Sequence, residues 1–88
     1  MAGNYRWETL VYDDGTISEN GPVQGKKLLF WYTNASRDHA YDFSSWIEEL
    51  HISSDASAEE LRKVLKNPSI ESGARKLVES KLEKKDFS

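Results

Sequence analysis

The sequence predicts a small α+β domain: a three-stranded antiparallel sheet in its first third, packed against two or three short helices toward the C-terminus. Three observations carry this. Nine of the ten aromatic residues lie between Tyr5 and Trp46, including the run Phe30-Trp31-Tyr32. Turn signals at Asp13-Asp14-Gly15 and Asn20-Gly21-Pro22 punctuate that same region. Beyond Asp42 the apolar residues recur at helical rather than alternating spacing.

Residues 5–12, YRWETLVY, alternate as a strand does, with Tyr5, Trp7, Thr9 and Val11 on one side and Arg6, Glu8, Leu10 and Tyr12 on the other. Asp14-Gly15 tolerates the positive φ of a tight turn, so Thr16–Glu19 is expected to pair back as a second strand. Pro22 has no N–H for a ladder and closes that strand. Lys26–Thr33 is short and aromatic-rich, which favours a third strand, although its periodicity also fits a helix. The expected arrangement is a meander, with Asn34–Asp38 as a polar connector.

Phe43, Trp46, Ile47 and Leu50 stand at i, i+3, i+4 and i+7, one face of a short helix for which Asp42 is a suitable N-cap. Ser57-Ala58-Glu59-Glu60 is a capping box, and the helix it opens, carrying Leu61, Val64 and Leu65, must stop before Pro68. A last helix, capped by Ser69, aligns Ile70, Ala74, Leu77, Val78 and Lys81/Leu82. Gly73 inside it costs about 1 kcal/mol relative to Ala, which implies close packing against a neighbour. Leu61, Leu65, Leu77 and Val78 are the expected helical core. The whole chain, 1–88, reads as one domain, with strands over about 5–33 and helices over about 43–85.

One family order is similar. Trp7, then Gly21-Pro22-Val23, then Leu28-Leu29-Phe30-Trp31 resembles the sequence of features in GYF domains, which bind proline-rich peptides. Val23 stands where that family has an aromatic, and Ala40-Tyr41-Asp42-Phe43 is a broken form of its signature. The resemblance implies a helix at Leu28–Trp31; the chain is not assigned to the family on it.

Composition narrows function by exclusion. With no cysteine, thiol chemistry, disulfides and thiolate zinc sites are ruled out. Charged residues make up 31% and mean hydropathy is −0.72, with no apolar run near the ~20 residues a membrane helix needs. The first residues lack the basic start and apolar stretch of a signal peptide, so an intracellular, cytoplasmic protein is expected. His39 and His51, twelve apart among Asp42 and Glu48, match no metal-ligand spacing, and no nucleophile elbow or phosphate loop is present. No catalytic residue, metal or cofactor is expected.

Charge is partitioned. Residues 38–60 hold seven acids and neither Lys nor Arg, whereas residues 61–85 hold eight bases against three acids. Helix-dipole placement accounts for much of this. It also gives an acidic surface and a basic one. Interfaces concentrate aromatic anchors within a polar rim. The expected function is therefore an interaction module or inhibitor whose binding residues are Trp31, Tyr32 and Trp46, rimmed by Asp38, Asp42, Glu48 and Glu49, with a protein partner of basic surface. The alternative is nucleic-acid binding through the strand aromatics and a basic last helix bearing Arg75, Lys76, Lys81, Lys84 and Lys85. Overall acidity opposes it, because phosphate neutralisation supplies most of such affinity.

Overall fold

Residue alternation along β1 (Asn4–Tyr12) and β3 (Leu28–Arg37) builds the centre of the molecule, since the two pair antiparallel along nearly their whole lengths. The computed structural model describes residues 4–37 and 45–84. The two-residue β2 (Ile17–Ser18) returns onto the outer edge of β1, and β4 (Ser45–Ile52) pairs antiparallel with the free edge of β3. The sheet order is β2-β1-β3-β4. Helices α1 (Ala58–Val64) and α2 (Ser72–Lys84) follow. No helix among the described residues is long and apolar enough to cross a membrane.

Period two assigns the faces. Phe30 and Tyr32 share one side of β3, and their rings stack at 6.2 Å. Phe30 lies opposite Val11 and Ile52, Tyr32 opposite Thr9 and Leu50, and Asn34 opposite Trp7 and Ile47. This face takes the helices: Leu61, Val64, Leu65, Ile70, Ala74, Val78 and Leu82 join Val11, Phe30 and Tyr32 in one buried cluster. The other face presents the row Leu10–Trp31–His51 and, two residues along, Glu8–Thr33–Glu49.

Both turns before β3 need glycine. Gly15 has φ +89° and Gly21 φ +109°, values that L side chains rarely adopt. Past Gly21 the chain folds back over one end of the sheet, where the Val23 N–H donates to the Tyr12 hydroxyl at 2.7 Å. The α1 capping box forms as expected. The Glu60 N–H donates to Ser57 Oγ (3.1 Å), and the Ser57 N–H donates to Glu60 Oε1 (3.0 Å). Arg75 of α2 closes the other end of α1 by donating to the carbonyls of Leu65 (3.0 Å) and Asn67 (2.8 Å).

Several expectations from sequence are corrected. The sheet has four strands, because Ser45–Ile52 is a strand and not part of a helix begun at Phe43. The reason is a β-bulge: register shifts between Thr33 and Asn34, so Thr33 faces Glu49 while Asn34 faces Ile47. The extra residue turns both Ile47 and Leu50 toward the core, reproducing the i, i+3 spacing of a helix on a strand. Asp42, its expected cap, and Phe43 lie outside the described residues.

The strands do not form a meander. β1 sits between β2 and β3, since β1 and β3 are long matched partners whereas β2 offers only two residues. Asn34–Arg37 extends β3 where a connector was expected. Finally, α2 begins at Ser72, and the Ser69 N–H is taken by the Asn67 side chain. Its buried ridge is Ala74, Val78 and Leu82, a strict i+4 row that leaves Leu77 outside at 40% exposure, while buried Ile70 precedes the helix. The strand at Leu28–Arg37 also removes the helix that the GYF-like order implies.

Candidate protein interface

β4 is an edge strand eight residues long, and its sequence determines what it shows on each side. Ser53, just past it, donates its N–H to the Leu29 carbonyl at 2.8 Å. Antiparallel pairing alternates inward and outward backbone groups, so the N–H and C=O of Leu50 and Ile52 point away from β3. Among the described residues, no backbone hydrogen bond is made along that outer edge.

Ile47, which faces α2, and its chain neighbour Trp46 line a groove with Glu71, Ser72, Gly73 and Leu77. α2 passes β4 at Gly73, where a Cβ would stand 3.4 Å from Ile47 Cδ1, at the near limit of ordinary contact. Trp46 (37%) and Leu77 (40%) are the two large hydrophobic side chains left exposed among the described residues, and both line this groove. No Lys or Arg lines it.

On the open face, the Trp31 and His51 rings stack at 5.5 Å, and His51 Nε2 lies 3.3 Å from Glu49 Oε2. Arg6 donates from Nε to Glu48 Oε1 at 2.7 Å. That hydrogen bond holds the Glu48 carboxyl below the usual carboxylate range, and the ion pair and the Trp46 indole act in the same direction. On the same face Glu8 and Glu49 stand near the Arg6–Glu48 pair.

The residues singled out from sequence therefore separate. Trp46, Glu48 and Glu49 all lie on β4, and half-buried Trp31 lies beside it on β3. Tyr32 is withdrawn from the patch: at 2% exposure it is core. The reason is alternation, since Trp31 and Tyr32 must point to opposite faces and the helices cover the Tyr32 side. Burial pushes the Tyr32 phenol up to about 12, with the nearby Glu71 charge adding to the rise. Asp38 and Asp42 lie outside the described residues.

Ile47, Gly73 and Leu77 were not singled out as site residues. Gly73 in a helix interior and Leu77, off the i+4 ridge, were the available signals. Of the bases offered for nucleic acid, Arg75 is committed to the carbonyls closing α1, and Lys85 lies outside the described residues. Among the described residues no group of acids and histidines is placed to hold a metal ion. Comparison with known proteins gives no match, whether to a family model, a curated protein or a solved structure.

Proposed function

We propose that the chain is a protein-interaction module that binds a protein partner along β4, using Trp46 and Leu77 as apolar anchors within an acidic surround. It acts by occupancy rather than by chemistry, as a small adaptor or inhibitor in the cytoplasm. One observation carries this reading: the two large hydrophobic residues left exposed among the described residues line one groove, beside a strand edge with no backbone partner among the described residues. Scattered exposed apolar residues need no explanation, but adjoining ones rimmed by polar groups mark interaction sites. Trp is also the residue type most enriched among interface hot spots.

A photo-crosslinking amino acid at Leu77, compared with one at Lys63 on α1, tests the reading in cell extract. The module predicts a discrete protein adduct from position 77 that survives nuclease and is absent from position 63. Adducts formed only at position 63 and lost on nuclease treatment support nucleic-acid binding by the helical layer instead.

A further inference from the structure

We infer that the partner engages β4 as an extended, lysine- or arginine-rich segment that adds a fifth strand to the sheet. The inference deepens the interaction-module reading and rests on it. Three features converge on β4. Its outer edge offers the backbone N–H and C=O of Leu50 and Ile52, spaced to receive a strand and without a backbone partner among the described residues. Beside it runs the groove lined by Trp46, Ile47 and Leu77, open to an apolar side chain from an added strand. Its surround carries the carboxylates Glu8, Glu48, Glu49 and Glu71, of which Glu48 is paired with Arg6.

Charge decides between possible occupants. Antiparallel pairing of β4 with a second copy sets Glu48 or Glu49 opposite or diagonal to its own counterpart in the central registers. Like charges so placed oppose pairing. Acidic residues and a bulge on an edge strand also guard against self-association. The same carboxylates favour a strand whose outward-facing side chains are basic, and they raise its encounter rate. Side chains alternate along such a strand, so basic residues on the open face and apolar residues toward the groove suit both sides of β4 at once.

The test uses the full chain, 15N-labelled, and a ten-residue capped peptide of alternating Lys and Val. Three comparisons accompany it: a Glu/Val peptide, a fully N-methylated Lys/Val peptide that keeps its charges but has no backbone donor, and the Glu49→Lys chain. The expected result is amide exchange at Leu50 and Ile52 slowed at least tenfold by the Lys/Val peptide. Affinity should fall at least tenfold in each comparison. Equal binding of the N-methylated peptide, or shifts confined to α1 and α2, overturns strand addition while leaving the module itself to the crosslinking result. Slowed exchange at Leu50 and Ile52 that depends on protein concentration without peptide makes a second copy the occupant, and overturns the basic partner.

Discussion

Asn34, buried in β3, joins the sheet to the start of α2 through Glu71: its Nδ2 donates to Glu71 Oε1 at 3.2 Å while its Oδ1 accepts from Thr9 Oγ1 at 2.7 Å. Asn34 is 1% exposed, and every buried side-chain polar atom among the described residues has a partner. Glu71 is also the residue whose carbonyl accepts the first α2 hydrogen bond, from the Arg75 N–H. One amide thus fixes where α2 leaves the sheet, and so fixes the groove between α2 and β4.

Asn34→Leu keeps the branched heavy-atom shape but strands the Thr9 hydroxyl and takes a donor from Glu71. The expected cost is about 1–3 kcal/mol, the usual penalty for leaving buried polar groups unpaired. Urea denaturation measures it. A midpoint unchanged from the parent shows that water replaces the amide, and that α2 is placed by apolar packing alone.

Leu61 and Leu77 should respond oppositely to truncation. Leu61 is fully buried in the cluster between the helices and the sheet, so Leu61→Ala is expected to cost about 2–5 kcal/mol. Leu77→Ala should stay within about 0.5 kcal/mol of the parent, as surface changes do. Thermal and urea midpoints of both variants check this. A large loss from Leu77→Ala would restore it to the core and dissolve the groove.

How far the sequence was legible varies with the kind of signal. The α1 cap was local and read correctly, Ser57 and Glu60 making both bonds of the box, whereas α2 does not begin at the cap expected at Ser69. The Asp14-Gly15 turn was equally local. What could not be read was non-local. The helical spacing of Ile47 and Leu50 comes from a bulge facing Asn34, and nothing within residues 45–52 announces it. Likewise, the strand order depends on β3 outbidding β2 for one edge of β1. For the site, Trp31, Trp46, Glu48 and Glu49 were legible as an aromatic and acidic group. Leu77 was not, because an apolar residue one step off a helix ridge looks like core until the ridge is aligned.

Tyr32 makes stability sensitive to alkali. Its phenol is pushed up to about 12 by burial, against about 10 in an unfolded chain. Above pH 10 the unfolded chain gives up this proton while the native protein keeps it, so stability falls as pH rises toward 12. The slope due to this group approaches about 1.4 kcal/mol per pH unit. Other ionisations contribute alike to parent and variant, so the difference isolates Tyr32. Tyr32→Phe should flatten the decline between pH 10 and 12 in urea midpoints measured across that range. Parallel pH profiles for the two proteins would show the phenol to be solvated.

Binding kinetics should divide the anchors from the rim. Trp46→Ala removes an exposed apolar ring from β4, so it is expected to raise the partner's off-rate at least tenfold and leave the on-rate nearly unchanged, since most interface effects appear in dissociation. Glu49→Gln removes only a charge from the open face. It should lower the on-rate, and only at low salt, because steering is screened beyond about 8 Å at physiological ionic strength. Glu49 is the better choice for this than Glu48, whose replacement would also release Arg6. Association and dissociation rates against the crosslinked partner, recorded at two salt concentrations after circular dichroism confirms folding, give the answer. If both variants bind as the parent does while a combined Lys76→Gln, Lys81→Gln and Lys84→Gln chain does not, the partner sits on α2 and the β4 assignment falls. The expected contrast, a salt-independent off-rate for Trp46 and a salt-dependent on-rate for Glu49, is one that a patch of merely exposed core residues would not produce.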